Sequence, residues 1–266
     1  MDKPLIRPNR LKRLLAEGKT PIGVFLIEFR QAAVLQILAD CGFDFVIIDN
    51  EHGVFSIESI AELSRAARLI DLMPIVRIPD HAYPWIAQAL DAGAIGIMAP
   101  RIETPAQVAG VVRSMKYPPA GSRGNATGMG YMEFRSGPVP EVLRRENEET
   151  FLVVQIETRG AVENLEAIMA TPGVDAALVG PNDMAIALGV PGATDGPEVR
   201  AVIERVIEVG RRVGTAPAVH MRDLDAALRW IGKGVRMLSF RSETILLADA
   251  GREAVDRLRK GMRGAG

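Results

Sequence analysis

The sequence predicts a single (β/α)8 barrel, also called a TIM barrel, and three observations support this fold class. Eight short segments are continuously apolar, as expected for parallel strands that are covered on both faces. Amphipathic segments with helical periodicity separate most of them. Eight such repeats within 266 residues are typical of this barrel. The alternative is a doubly wound sheet, which usually has fewer strands and often a G-x-G-x-x-G motif after the first strand. This sequence has no such motif there.

The predicted strands and helices follow one another in regular order. The strands cover residues 22–27, 45–49, 74–78, 95–99, 152–156, 176–180, 215–219 and 235–240. Helices between them cover residues 57–70, 85–92, 105–115, 161–169 and 197–213. Helix start signals are in place, because Ser56 precedes the first of these helices and Thr104-Pro105 opens the third.

One long connection and two additional helices complete the predicted organisation as a single domain of residues 1–266. The connection of residues 116–150 follows the fourth strand, contains a charged helix near residues 141–149, and extends over the C-terminal face of the barrel. Residues 9–17 and 252–262 form helices outside the barrel repeat. The sequence shows no linker, low-complexity tract or second core.

The composition predicts a cytoplasmic protein with no nucleic-acid or membrane partner. The formal net charge is −1, and no basic patch with interleaved aromatic residues occurs. No run of 18 apolar residues exists, and residues 1–20 lack the apolar centre of a signal peptide. Cys41 is the only cysteine, which excludes an intrachain disulfide and a cysteine metal site. We expect it to be a small buried side chain.

Polar residues cluster at the C-terminal ends of the predicted strands, where barrels of this kind place their active sites. Chance accounts for one or two ionisable residues at such positions, but this sequence has six, together with one glutamine. The residues are Asp49, Glu51, His52, Arg77, Gln155, Glu157 and Asp183. All of them are expected to face one small volume.

Two of these carboxylates suggest a metal site. Glu157 ends the fifth predicted strand and Asp183 follows the sixth, so both acids lie on one rim of the sheet. Paired carboxylates on such a rim suit a divalent metal with open coordination positions. The alternative is a pair of exposed loop carboxylates with no ligand.

Several motifs, taken together and in order, resemble the HpcH/HpaI aldolases over residues 22–247. They are Ile47-Ile48-Asp49-Asn50-Glu51-His52, Val76-Arg77, Tyr117-Pro118-Pro119-Ala120-Gly121-Ser122-Arg123-Gly124, Val154-Gln155-Ile156-Glu157-Thr158 and Val179-Gly180-Pro181-Asn182-Asp183. The resemblance implies a metal-dependent class II pyruvate aldolase that acts on a small 2-oxo acid and an aldehyde. It also implies a homohexamer, built as a trimer of dimers, in which the C-terminal helix is swapped between subunits.

The resemblance also assigns expected roles. Glu157 and Asp183 would hold Mg²⁺, Mn²⁺ or Co²⁺, which acts as a Lewis acid on the 2-oxo acid. Arg77 would donate hydrogen bonds to the enolate oxygen, unless it forms only a structural ion pair. His52, oriented by Asp49, would take a proton from the substrate's C4 hydroxyl, unless it is a loop residue without a role. Glu51 either pairs with Arg77 or orients a water beside the metal.

Further residues are expected to bind substrate. Gln155 shares a strand face with Glu157. Gly180 and Pro181 form a tight turn that presents the backbone N–H groups of Asn182 and Asp183 to the substrate carboxylate. Four more candidates each have an alternative without a role in the site. Arg123 touches substrate or anchors its loop, Asp91 reaches a neighbouring subunit's site or is a surface charge, and His81 and His220 line the mouth or are packed histidines.

The sequence departs from the family pattern in two places. Residues 125–130 replace a stretch that usually carries further Arg or Ala, and Arg241 stands in the segment after the last strand where many members read Gly-Ser-Asp. Arg241 either binds a distal carboxylate of the substrate or pairs with Glu243. Two other readings stay open, namely a related carbon–carbon lyase or oxaloacetate decarboxylase, and a catalytically silent oligomeric binding barrel.

Overall fold

The computed structural model describes residues 4–264, whose strands close into a parallel barrel in chain order. Each strand pairs with the next, and the last pairs with the first. The predicted TIM barrel is therefore confirmed. The strands are β1 (Ile22–Leu26), β2 (Phe45–Asp49), β3 (Met73–Arg77), β4 (Gly96–Ala99), β5 (Phe151–Ile156), β6 (Ala176–Val179), β7 (Ala216–Met221) and β8 (Met237–Ser242).

Strand boundaries differ from the predicted ones by at most two residues. The largest differences, of two residues, are at the C-terminal end of β7 and at both ends of β8. Both strands continue two residues beyond the predicted 215–219 and 235–240, and β8 begins two residues later than predicted. These extra residues are largely polar, because they reach the open end of the barrel. An apolar pattern therefore cannot detect them.

The helices cover the outside of the barrel. They are α1 (Arg10–Ala16), α2 (Ala32–Asp40), α3 (Ile57–Leu69), α4 (Tyr83–Ala92), α5 (Pro105–Met115), α6 (Val139–Glu149), α7 (Arg159–Glu163), α8 (Leu165–Met169), α9 (Pro181–Leu188), α10 (Pro197–Val213), α11 (Leu224–Lys233) and α12 (Glu243–Gly264), with a short 3-10 helix at Gly130–Met132. Within residues 4–264, no helix is both long and apolar enough to cross a membrane.

Two predicted helices have different extents in the structure. The segment 161–169 is split at Asn164, whose side-chain amide donates to the carbonyls of Gly160 and Glu103 instead of continuing a helix. The predicted helix 252–262 is the second half of α12, which begins at Glu243 directly after β8. Gly251, a weak helix former, lies inside α12 and hides this continuity in the sequence.

Alternate residues of each strand pack on opposite sides of the barrel wall. On β2, Phe45 and Ile47 belong to the cluster that fills the barrel, whereas Val46 and Ile48 pack against the helices. Leu11 of α1 joins the inner cluster and closes the N-terminal end. The barrel is thus a filled core that leaves only its C-terminal end open for a site.

Cys41 is exposed, so the prediction of a buried side chain is wrong. It caps the C-terminal end of α2 and lies four residues after Ile37, whose side chain is 62% exposed. Residues four apart share one helix face, and this face of α2 points to solvent.

The C-terminal half of α12 projects away from the barrel. Leu258 and Met262 are exposed apolar residues on it, and the helix as a whole is long for a barrel helix. Exchange of this helix between subunits stays a prediction, because it concerns a second chain. The single domain of residues 1–266 also stays a prediction, since residues 1–3 and 265–266 lie outside the described residues.

Arg123 anchors the long connection of residues 116–150. Its buried guanidinium pairs with Asp91 at 2.6 Å and with Glu146 at 3.3 Å. It also lies over the rings of Tyr117 and Tyr131. One cation therefore holds the first part of this connection against α4 and against α6, the helix within the same connection.

Replacing Arg123 by alanine is expected to destabilise the protein by about 3–5 kcal/mol, because it leaves the buried Glu146 carboxylate without its partner. Urea unfolding monitored by circular dichroism measures this change. Arg212→Ala, which removes an exposed surface ion pair with Glu166, is the matched control and is expected to have little effect. Equal effects of the two substitutions would contradict the anchoring role of Arg123.

Candidate active site

A cavity of about 380 Å³ opens at the C-terminal end of the barrel. A second cavity of about 250 Å³ adjoins it and shares His52 and Asp183 as lining residues. The predicted residues that line one or both are Asp49, Glu51, His52, Arg77, Gln155, Glu157, Gly180, Pro181, Asn182 and Asp183. The fold therefore brings most of the predicted site residues to one place.

Arg77 is held by two carboxylates at the ends of β2 and β3. The register pairs Asp49 with Arg77 across the two strands. Arg77 Nε donates to Asp49 Oδ1 at 2.8 Å, and Nη1 lies 3.1 Å from Glu51 Oε2. Burial alone would lower the pKa of Arg77, but the hydrogen bonds and charges of Asp49 and Glu51 outweigh it and raise this pKa. Arg77 is thus a fixed, permanently charged donor in the cavity wall.

Asp49 does not contact the imidazole of His52, in contrast to the expected acid–base pair. Its Oδ1 accepts the backbone N–H groups of Glu51 at 3.0 Å and His52 at 3.2 Å, while Arg77 occupies the rest of the carboxylate. The His52 side chain is 68% exposed, with Nε2 3.9 Å from Glu51 Oε2. Asp49 therefore fixes the turn that carries His52. Of the two alternatives for Glu51, the pairing with Arg77 is found.

Glu157 is a buried carboxylate in an unusual environment. Its Oε1 accepts the backbone N–H of Arg101 at 2.8 Å, and its Oε2 accepts a hydrogen bond from Gln155 Nε2. Burial raises the pKa of Glu157 to about 7; the Arg101 N–H opposes the rise, and the negative charges of Asp183 and Glu51 add to it. Buried side chains of like charge that lie close together are typical of a functional site.

These residues fit a divalent metal. Within residues 4–264, no three His, Cys, Asp or Glu side chains come together as metal ligands, so a metal here would depend on two carboxylates plus water and substrate. Gln155 Oε1 is buried beside Glu157 with no hydrogen-bond partner, so it can accept a bond from a ligated water or hydroxyl. An all-oxygen donor set suits Mg²⁺ or Mn²⁺, and a cation would relieve the repulsion between Glu157 and Asp183.

The turn from β6 into α9 faces the same cavity. Pro181 opens α9, where its missing N–H costs nothing, and Asp183 lies in the first helical turn. A Cβ on Gly180 would lie 3.1 Å from Gln155 Nε2, so glycine leaves room for this amide. The unpaired N–H groups of a helix N-terminus suit an anion, and carboxylate binding at Asn182 and Asp183 stays a prediction.

Three candidates lie outside both cavities. Arg123 and Asp91 pair with each other at 2.6 Å, so within this chain Arg123 anchors its loop instead of reaching substrate. Any role of Asp91 in a neighbouring subunit stays a prediction. His81 Nε2 hydrogen-bonds the carbonyl of Pro100 at 2.7 Å, as expected for a packed histidine.

The opposite wall of the main cavity contains residues that the sequence did not single out. They are Phe25, Ile27, Arg222, Ser242, Thr244 and Ile245, joined by His220, which was only a weak candidate. His220 Nδ1 lies 3.0 Å from Ser239 Oγ, and its ring meets that of Phe25 edge-on. Burial, with the charges of Arg222 and Arg77, lowers the pKa of His220 to about 4, so it is neutral near pH 7.

Arg241 pairs with an acid that the sequence did not suggest, and binding of a distal substrate carboxylate by Arg241 stays a prediction. Its Nη1 lies 2.9 Å from Asp249 Oδ2, and its Nε donates to the carbonyl of Arg222 at 2.8 Å. Pairing with Glu243 is wrong, because that carboxylate accepts the backbone N–H groups of Ile27 and Glu28. The left-handed backbone of Arg241, with φ 54°, turns its side chain toward α12.

Comparison with known proteins identifies the family of this chain. Residues 22–250 match the family model described as HpcH/HpaI aldolase/citrate lyase. The chain is 36% identical to a 4-hydroxy-2-oxovalerate aldolase of Rhodococcus jostii, over 93% of this chain and 94% of that one. It is 33% identical to a hydroxypyruvate/pyruvate aldolase of Pseudomonas aeruginosa, over 98% and 96%. A solved structure of an HpcH/HpaI aldolase from Desulfitobacterium hafniense superposes with a TM-score of 0.90 at 30% identity, covering 94% and 96%. This chain therefore belongs to the HpcH/HpaI aldolase/citrate lyase family.

Proposed function

We propose that this protein is a divalent-metal-dependent aldolase that reversibly cleaves a 4-hydroxy-2-oxo acid to pyruvate and an aldehyde. Membership of the family and the names of the relatives support a pyruvate aldolase, which is a carbon–carbon lyase. The observation that carries the proposal is the convergence of Glu157, Asp183 and Arg77 on adjoining cavities.

Glu157 and Asp183 would hold the metal, in keeping with the general dependence of this family on divalent metals. We propose Mg²⁺, Mn²⁺ or Co²⁺, since the available ligands are oxygens. When bound, such a metal supplies a Lewis acid that polarises the keto group of the 2-oxo acid. Gln155 holds the Glu157 carboxylate in place from the same strand.

Arg77 would stabilise the negative charge that develops on the substrate. Cleavage breaks the C3–C4 bond, leaves its electron pair on C3 as the enolate of pyruvate, and converts the C4 hydroxyl to the aldehyde carbonyl. The fixed guanidinium is a preorganised donor for the enolate oxygen. The N–H groups of Asn182 and Asp183 would bind the substrate carboxylate.

His52 would take the proton that the C4 hydroxyl loses. It is the exposed imidazole that borders both cavities, and an imidazole nitrogen can accept a proton from a hydroxyl. Asp49 acts here as a positioning residue, because its carboxylate binds the backbone of the turn and the guanidinium of Arg77. A proton is returned to C3 to complete the methyl group of pyruvate.

We also propose a cytoplasmic homohexamer arranged as a trimer of dimers. The exposed apolar residues Leu258 and Met262 on α12 support an association between chains. In this assembly Asp91 would approach a neighbouring site, although in the single chain it pairs with Arg123.

Incubation of the metal-loaded protein with pyruvate and acetaldehyde tests the proposed function. The expected product is 4-hydroxy-2-oxopentanoate, detected by mass spectrometry. Its formation should stop when the protein is treated with a chelator and resume when Mg²⁺ or Mn²⁺ is restored. If pyruvate gives no aldol product with any of the three aldehydes acetaldehyde, butanal and 4-oxobutanoate, the proposal is contradicted.

A further inference from the structure

The main cavity has two chemically different walls. One wall, from β2, β3, β5 and β6, carries Arg77, Gln155 and Asp183 and is assigned above to the 2-oxo acid half of the substrate. The opposite wall comes from β7, β8 and β1 and carries Phe25, His220 and Arg222. The aldehyde half of the substrate therefore faces this second wall.

His220 and Arg222 both reach the cavity because alternate residues of an extended chain point to the same side. His220 lies near the end of β7 and Arg222 directly follows the strand, so both line the cavity, whereas Met221 between them is buried in the layer between barrel and helices. The His220 imidazole forms a hydrogen bond with Ser239 and an edge-on contact with Phe25, and it contributes no charge near pH 7. Arg222 is therefore the charged group on this wall.

Arg222 has no carboxylate partner within residues 4–264, unlike the other guanidinium in the cavity wall, Arg77, which is paired with Asp49 and Glu51. Two acids near Arg222 are already engaged. Asp223 caps α11 through the backbone N–H of Ala226, and Asp249 pairs with Arg241. The positive charge of Arg222 is thus left for a ligand.

Arg241 supports this arrangement as a positioning residue. Its Nε donates to the carbonyl of Arg222 at 2.8 Å, while Asp249 holds its other end. Arg241 adopts a left-handed backbone conformation, with φ 54°, that non-glycine residues rarely occupy. The backbone that carries Arg222 is therefore fixed at the cavity rim.

We infer that Arg222 binds a carboxylate on the aldehyde half of the substrate, so that the preferred aldehyde carries an anionic group. This inference rests on the proposed aldolase function and adds the substrate class to it. A guanidinium and a carboxylate form a charge-assisted, two-pronged hydrogen bond, which a neutral alkyl aldehyde cannot make.

The test compares the addition of pyruvate to 4-oxobutanoate and to butanal, two aldehydes with the same four-carbon chain. The wild-type enzyme is expected to favour 4-oxobutanoate in kcat/KM, and R222Q should reduce this preference about tenfold, as removal of a hydrogen bond to a charged group typically does. R222E should reduce it further through repulsion. R229Q removes an exposed arginine of α11 that pairs with Asp195 outside the cavity, and it should keep the wild-type preference.

The outcomes separate the two claims. If the wild-type enzyme forms no aldol product with these two aldehydes or with acetaldehyde, the proposed function fails and the inference fails with it; product from acetaldehyde alone overturns only the inference. If product forms but the preference is the same in wild type and R222Q, Arg222 is not the carboxylate site and the inference alone is overturned. The wild-type preference should also weaken as the salt concentration is raised from about 0.05 to about 0.5 M, because salt screens the attraction between exposed charges. A salt-independent preference would contradict a charged contact.

Discussion

Replacing Glu157 by glutamine or Asp183 by asparagine is expected to lower turnover by about a thousandfold. Both substitutions would remove one of the two proposed metal ligands, whose carboxylates repel each other with an unpartnered Gln155 oxygen beside Glu157. Lewis-acid stabilisation contributes several kcal/mol, and each 1.36 kcal/mol corresponds to about a factor of ten in rate. The loss should therefore appear in turnover as well as in metal affinity.

Titration calorimetry with Mn²⁺ and the aldol assay together measure this effect. E163Q removes the charge of an exposed glutamate on α7 and is the matched control, with wild-type metal affinity and activity expected. Wild-type activity in either E157Q or D183N would refute the assignment of these two residues as the metal ligands.

Replacing Arg77 by lysine is expected to lower turnover by about 10²–10³-fold while Mn²⁺ affinity changes little. Lysine keeps a positive charge near Asp49 and Glu51, but it cannot bind both carboxylates and still present a planar pair of donors to the substrate. Loss of one preorganised donor to a developing oxyanion typically has this size.

The measurements are Mn²⁺ titration and initial rates, with the melting temperature as a check on folding. R113A, which alters an exposed arginine of α5, serves as the control and should behave as wild type. Normal turnover in R77K would show that Arg77 is only the structural partner of Asp49 and Glu51.

The barrel and the positions of Glu157 and Asp183 at its rim could be predicted because their information is local in the sequence. Buried parallel strands are continuous apolar runs, and strands of a barrel all direct their C-terminal ends to one face. Glu157 is therefore placed by the strand that precedes it, and Asp183 by the turn into α9. Paired carboxylates at such positions already indicate a metal.

Partners between distant segments could not be predicted in the same way. Asp49 was expected to orient His52, three residues away, but it binds Arg77, 28 residues away, because the β2–β3 register places them side by side. Arg123 was a substrate candidate by motif, yet Asp91 and Glu146 bury it under the loop. The polarity of a residue does not show which charged side chain will be its partner in the folded protein.

Arg222 on the β7 wall was overlooked, and His220 was only a weak candidate, because the strand ends in polar residues. The apolar pattern stops at Val219, whereas the backbone ladder continues to Met221 and carries His220 and Arg222 to the rim. A search for polar residues at alternate positions beyond a predicted strand would have found this pair. Such positions are where specificity residues are expected in a barrel enzyme.

Proton NMR of pyruvate in D₂O is the most direct test of the central claim, that the Glu157–Asp183 site promotes enolisation of pyruvate. With Mg²⁺ present, the wild-type protein is predicted to erase the methyl signal as deuterium enters C3, while E157Q and chelator-treated wild type leave it intact. Persistence of the signal with the Mg²⁺-loaded wild-type protein, or equal loss in E157Q, would contradict this account.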